Sequence, residues 1–260
     1  MAGLETICEV NDLVAHYGDR LILDGVSFRV RKGEILVILG ASGSGKSTLL
    51  KHIVGLLTPT SGSIRLWGQD IVRMEEDERA AILRRMGIAF QSGGLFNSMT
   101  IGGNVALPLR EWGDYAEETI QDMVRMKLSL VGLAEFQHLM PSELSGGMKK
   151  RAGFARALAL EPEIVFFDEP SAGLDPIMAA GLDELLLKLK GILGITMVIV
   201  THELESIRTV ADRAVMLDKG KLIFAGTLRD AEQSRAPRVR QFFDRRPDDV
   251  IAARDAGSAG

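Results

Sequence analysis

Residues 35–48 read Ile-Leu-Val-Ile-Leu-Gly-Ala-Ser-Gly-Ser-Gly-Lys-Ser-Thr, an apolar run that enters the pattern G-x-x-x-x-G-K-S without a break. A short apolar run bounded by glycine predicts a strand buried on both faces. The glycines let the backbone bend until successive N–H groups face one point. Lys46 brings a positive charge to that point, and Ser47 offers a hydroxyl to a divalent cation. A helix expected from Thr48 to Gly55 turns its positive end the same way. A glycine-rich turn without a ligand does not account for the complete motif between strand and helix. The chain is therefore expected to be α/β, with a phosphate cradle at the carboxyl end of a parallel strand.

Two further strands are expected at Ile164 to Phe167 and at Met197 to Val200, and each ends at polar residues. Ligands of an open parallel sheet sit at such carboxyl ends, so the three ends should converge on one site. Asp168 follows one strand and can hold Mg²⁺. Glu169 comes next, placed to polarise a water that attacks a γ-phosphate. Without the cradle, this pair would read equally well as a solvated start of a loop. Leu144-Ser145-Gly146-Gly147-Met148 predicts a second phosphate-facing helix terminus: Ser145 as N-cap, glycines exposing N–H groups, and a helix over Met148 to Leu158. An ordinary capped helix is the plainer reading of that stretch taken alone.

The remaining organisation is coarser. Residues 4–31 and 62–67 alternate apolar and polar, which predicts an antiparallel edge sheet. Residues 92–160 carry helical patterns, among them Asp114 to Val131 with Ile120, Met123, Val124 and Leu128 at helical spacing. The expected division is a core of 1–91 and 161–226, a helical lobe of 92–160, and a charged tail of 227–260. In the tail, Pro237 suits a first helical turn and Pro247 a stop. Val239, Phe242 and Phe243 fall on one face.

Composition narrows the class. With 260 residues, 46% hydrophobic and 25% charged, the chain reads as one globular unit with a sizeable core. A net charge of −4 does nothing to favour nucleic acid, whose binders usually carry a basic face. One cysteine, Cys8, rules out an intrachain disulfide. The start lacks the pattern of a secretory signal. The longest apolar runs are strand-length, against about 20 residues for a membrane span, so another chain is expected to do any crossing.

The order of these motifs resembles ABC-type ATPases over residues 5–226. The resemblance implies a P-loop, RecA-like parallel core with an antiparallel β subdomain and an inserted helical subdomain. It implies ATP as ligand, Mg²⁺ as its partner ion, and two copies docked head to tail. Each ATP would then lie between Gly40, Ala41, Ser42, Gly43, Ser44, Gly45, Lys46, Ser47 and Thr48 of one chain and Ser145, Gly146 and Gly147 of the other. Gln91 matches the Q-loop residue that touches Mg²⁺ or water. Asp175, in Ser171-Ala172-Gly173-Leu174-Asp175, matches the D-loop at the dimer interface. His202 matches the switch histidine, and Tyr17 the aromatic that stacks on adenine. Each has a plainer alternative: a surface amide, a satisfied strand-end histidine, an edge-strand aromatic.

A narrower resemblance is carried by 90–96, by Asn104-Val105-Ala106-Leu107-Pro108-Leu109-Arg110-Glu111, by 139–148 with Met148 where glutamine is commonest, and by Pro237-Arg238-Val239-Arg240-Gln241-Phe242-Phe243. These segments are similar to the ATPases of Mla-type phospholipid transporters. That implies a transmembrane permease, an MCE-domain lipid-binding protein and a small accessory cytoplasmic protein as partners. It also implies a peripheral place on the cytoplasmic face of the bacterial inner membrane. Met148 loses a side-chain donor but keeps the backbone donors. The Gln91–Thr100 segment, with apolar Leu95, Phe96 and Met99, is expected to dock on the permease, although these side chains could cap the lobe instead. The same resemblance tilts the tail helix toward a neighbouring subunit rather than its own core. The competing readings are a polar-solute importer ATPase, a non-transport regulator of a membrane partner, and a ribosome- or DNA-directed ABC ATPase. The last usually carries two cassettes or long coiled-coil insertions, and this chain has neither.

Overall fold

The computed structural model describes residues 5–246. Two strands, β1 (Thr6–Tyr17) and β2 (Arg20–Arg31), form an antiparallel hairpin whose buried and exposed residues alternate. Then come β3 (Ile35–Leu39) and α1 (Lys46–Ile53), β4 (Ser61–Leu66), β5 (Gln69–Asp70), α2 (Glu76–Leu83) and β6 (Met86–Ala89). Three helices follow: α3 (Ile101–Trp112), α4 (Glu117–Leu130) and α5 (Gly146–Ala157). The chain returns through β7 (Ile164–Asp168), α6 (Pro176–Leu193), β8 (Thr196–Val200), α7 (Leu204–Val210), β9 (Arg213–Asp218) and β10 (Lys221–Thr227). Two short helices, α8 (Leu228–Glu232) and α9 (Pro237–Phe243), end the described chain.

The strands make two sheets. One is antiparallel, in the order β2-β1-β4-β5; the other runs β10-β9-β3-β8-β7-β6. In the second sheet β9, β3, β8, β7 and β6 are parallel, and β10 closes one edge antiparallel to β9. All five residues of β3 are buried, as are all five of β8. Alternate side chains on a strand point to opposite faces. Ile35, Val37 and Leu39 therefore pack with the helices, while Leu36 and Ile38 pack with α1 and the antiparallel sheet. A sheet covered on both faces needs the continuous apolar runs seen in the sequence.

Helix boundaries differ from expectation by a turn or less. The first runs from Lys46, ahead of Thr48, because the left-handed Gly45 is its cap (φ 104°). The expected helix from Asp114 starts at Glu117: Ala116 is extended, and Glu117 and Glu118 then occupy the first turn, where the helix dipole favours acid. Strands β6, β9 and β10 had no clear sequence signal of their own. Asn104 is fully buried on α3. Its Oδ1 accepts from the Phe96 N–H at 2.7 Å, and its Nδ2 donates to the carbonyls of Phe96, Met99 and Thr100. That one amide shapes the 96–100 loop, leaving Phe96 exposed while Leu95 packs inward.

The tail helix packs on its own chain, one of the two places the sequence leaves open. Val239 is fully buried and Phe243 nearly so, both within the same core cluster as β3 and β7, and Phe242 packs partly against it. Val239 and Phe243 of α9 are thus covered by their own chain, as a short helix requires of its apolar face. Pro247, the Ala-Gly-Ser-Ala-Gly end and the first four residues lie outside the described residues. Replacing Phe243 by alanine is expected to destabilise the isolated chain by about 3–5 kcal/mol in urea unfolding. A helix docked only on another subunit would leave that value unchanged.

Candidate functional site

The parallel register brings three strand ends side by side. Ile38 pairs with Val200 and Val200 with Asp168, so the loops after β3, β8 and β7 open on one side of the sheet. They border a cavity of about 690 Å³ lined by 40–43, 45–48, Gln91, Glu169, His202, Arg20, Ile22 and Phe242. The sequence placed most of these at one site from their motifs. Arg20 and Ile22, from the strand of the hairpin that faces the loop, and Phe242, from α9, could not be found that way.

Gly40 and Gly45 are demanded by close approach as well as by conformation. Gly40 has φ 150°, and a Cβ there would meet the Leu217 carbonyl of β9; Gly45 has φ 104° and abuts Leu23. Lys46 is buried, and its Nζ donates to the carbonyls of Gly40 at 2.8 Å and Ala41 at 3.1 Å. Burial pulls its ammonium below the usual lysine range, while the charges of Glu169 and Asp168 oppose that shift. Ser44 does not line the cavity; its side chain is buried and its Oγ has no protein partner.

Ser47 Oγ donates to Asp168 Oδ1 at 3.3 Å, so the loop hydroxyl and the strand-end carboxylate sit together. Burial is the larger influence on Asp168 and raises its pKa. The Ser47 hydrogen bond opposes the rise, Glu169 adds to it, and Lys51 and Lys46 oppose it. Glu169 has φ 48°, an uncommon conformation for a residue with a side chain. Its N–H donates to the Val200 carbonyl at 2.8 Å, and its Oε1 lies 2.8 Å from His202 Nδ1. Its Oε2 is buried and has no hydrogen-bond partner.

The other sequence candidates stand apart from this cavity. Ser145 caps α5, its Oγ accepting from the Met148 N–H at 3.3 Å, so the helix begins at Gly146 and not at Met148. Gly147 lies against Met178, and Asp175 caps α6 by accepting from the N–H groups of Ile177 and Met178 at 3.0 Å. Ser145, Gly146 and Asp175 are exposed on a separate surface, where Ile177 is 83% exposed, and Gly147 is buried beneath it. Tyr17, at the end of β1, is 85% exposed and does not line the cavity.

A strand-loop-helix cradle, a paired hydroxyl and carboxylate, and a glutamate-histidine couple on one parallel sheet define a P-loop nucleotide hydrolase. The family model described as ABC transporter matches residues 23–172. The chain is 44% identical over 239 residues to the intermembrane phospholipid transport system ATP-binding protein MlaF of Haemophilus influenzae, covering 92% of this chain and 90% of that one. It is 40% identical over 242 residues to MlaF of Escherichia coli K12, covering 93% and 90%. The probable ribonucleotide transport ATP-binding protein mkl of Mycobacterium bovis is 43% identical over 238 residues, 92% of this chain but 66% of that longer one. Among solved structures, the ATP-binding cassette MJ0796 in a dimeric post-hydrolysis state with ADP and Pi matches with a TM-score of 0.76 at 32% identity, covering 85% of this chain and 99% of that one. CbiO1 of Clostridium perfringens matches with a TM-score of 0.79 at 28% identity, covering 92% and 99%. This chain belongs to the ABC transporter family, as one of its ATP-hydrolysing subunits, and its fold is the ABC ATPase fold.

Substituting alanine at Gly40 forces the loop or β9 to move. It should destabilise the chain by about 1–3 kcal/mol, as overpacking does, and weaken ATP binding with it. Thermal unfolding and a fluorescent-ATP titration measure the two effects.

Proposed function

We propose that the chain binds ATP with Mg²⁺ in the cavity at the ends of β3, β7 and β8, and that Glu169 is the hydrolytic residue. The observation that carries this reading is the Glu169–His202 couple, 2.8 Å apart, on the wall of the cavity that the P-loop also lines. In this reading the Glu169 carboxylate accepts a hydrogen bond from water and takes its proton. The water oxygen bonds to the γ-phosphorus as the bond to the β,γ-bridging oxygen breaks. His202 holds Oε1 and so fixes the carboxylate. Lys46 trades its loop carbonyls for phosphate oxygens, and N–H groups of 40–48 cradle them. Among the described residues no protein-only cage of three or more carboxylate, imidazole or thiolate ligands occurs. Ser47 and Asp168 instead offer two oxygens, with Gln91 at the cavity wall, which suits an ion that shares its remaining positions with phosphate and water. When bound, Mg²⁺ neutralises charge on the phosphates.

Ser145, Gly146, Gly147 and Asp175 would serve the cavity of a second copy docked head to tail. Their separation from the chain's own cavity and the dimeric state of the MJ0796 relative support that assembly. Tyr17 would stack on adenine. In this reading 92–160 acts as the lobe that meets a permease, with Phe96 on the exposed 96–100 loop. No helix among the described residues is long and apolar enough to cross a membrane, so the crossing belongs to that permease.

The cargo follows from the relatives. The chain spans 90% of each of the two phospholipid-transport subunits, which supports a role in moving phospholipid between the inner and outer membranes from the cytoplasmic face of the inner membrane. An MCE-domain protein and a small accessory protein complete the proposed assembly. The 43% identity to a probable ribonucleotide transporter subunit keeps a polar-solute cargo as the second reading. With the tagged complex purified from membranes in mild detergent and reconstituted, phospholipid is expected to raise ATPase activity. Stimulation by ribonucleotides alone would favour the second reading.

Two mutational outcomes test the site. Glu169→Gln should abolish steady-state turnover while retaining ATP, because the cradle and Asp168 are intact. Lys46→Ala should lose ATP binding itself; turnover at the wild-type rate in Glu169→Gln would sink the assignment. Mixing Lys46→Ala with Ser145→Ala chains should restore part of the activity that each lacks alone, since one composite site is then intact. No recovery despite confirmed heterodimers would argue against sites shared between chains.

A further inference from the structure

Lys150 lies on α5, the helix that begins at Ser145, and only 7% of it is exposed. Its Nζ donates to two carbonyls: Gln91 at 3.1 Å and Glu169 at 3.2 Å. Both belong to residues of the cavity wall. Among the described residues its ammonium forms no ion pair. Burial lowers its pKa, with the charge of Glu169 opposing. A buried cation held by neutral carbonyls is costlier to desolvate than a neutral side chain of the same length. Packing alone therefore gives no reason for a charge at this place.

The Glu169 backbone does give one. Its left-handed conformation is of the kind that persists only where the surroundings enforce it. The Val200 carbonyl holds its N–H, while its own carbonyl accepts from the Ala172 N–H at 3.2 Å and from Lys150. On the other side, Arg156 of the same helix donates to the carbonyls of Gly94 at 2.7 Å and Gly93 at 3.4 Å. Helix α5 thus grips 91–94 at two points, and Lys150 alone extends that grip to Glu169.

We propose that Lys150 is a positioning residue: it ties the backbones of Gln91 and Glu169 to the helix that begins at Ser145 and keeps the Glu169 carboxylate aimed into the cavity. A displacement of α5 then moves Gln91 and misaligns Glu169 together, which makes hydrolysis sensitive to where that helix sits. The proposal rests on Glu169 being the hydrolytic residue.

The test is a double-mutant cycle on the full-length chain at saturating ATP. Lys150→Met keeps the length and removes the donors. It should lower kcat about tenfold or more, while KM and ATP affinity stay within about twofold. Lys150→Arg, which still donates, should recover most of the loss. In a Glu169→Gln background, Lys150→Met should change the residual single-turnover rate by less than about twofold, because the carboxylate that Lys150 keeps aimed is gone. Turnover of Lys150→Met within about twofold of wild type would overturn the proposal. So would an equal loss in both backgrounds, or a matching loss of ATP affinity, which a merely structural strut would give. Should Lys150→Met not fold, Lys150→Leu, which also removes the donors, runs the same cycle. Wild-type turnover in Glu169→Gln itself would instead refute the underlying reading of Glu169.

Discussion

In the parallel ladder of β3, β8 and β7, Ile38 opposes Val200 and Val200 opposes Asp168, and this register sets where each loop leaves the sheet. A slip of one residue would turn every side chain of a strand to the opposite face. Both faces are apolar here, so hydrophobicity alone would not forbid the slip. Close approaches at the loops add the missing specification. Gly40 abuts the Leu217 carbonyl, and the Glu169 N–H meets the carbonyl of Val200. The same contacts that fix the register thus build the wall of the cavity.

Charge is concentrated where the parallel strands end. Lys46 and Lys150 are buried cations, Asp168 is a carboxylate whose pKa burial raises, and Glu169 holds an oxygen without a partner. Each is tolerated because a neighbour answers it: loop carbonyls for Lys46, Ser47 for Asp168, His202 for one oxygen of Glu169. In a low-dielectric setting these interactions are strong, and the unanswered groups are correspondingly receptive to a ligand. Stability here is given up in favour of readiness to bind, a familiar state of residues near a reacting centre.

The cavity is also bordered by pieces distant in sequence. Arg20 and Ile22 come from the antiparallel hairpin, and Phe242 comes from α9 near the end of the described chain. Since Val239 and Phe243 anchor α9 in the core, Phe242 is held beside the P-loop by packing and not by any motif. Helix α5 performs a double task. Its start leaves Ser145 and Gly146 exposed outside the chain's own cavity, while Lys150 and Arg156 farther along hold the 91–94 segment. One rigid element therefore spans both surfaces.

Local patterns were enough for the fold class, for the cradle at 40–48, for Asp168 and Glu169 at a strand end, and for the Ser145 cap, because each depends on a few neighbouring residues and their backbone demands. The buried runs Ile35–Leu39 and Thr196–Val200 announced themselves as strands because a sheet covered on both faces needs unbroken apolar sequence. The tertiary structure alone decided which strand lies beside which, that Lys150 reaches both Gln91 and Glu169, and that Asn104 shapes the 96–100 loop. It also laid Val239 and Phe243 of α9 on the chain's own core, a choice the sequence left open. A side chain's periodicity tells which way it points on its own element, but the partner it meets depends on how the chain returns. A lysine on a polar-looking helix carries no mark of the two carbonyls waiting for it.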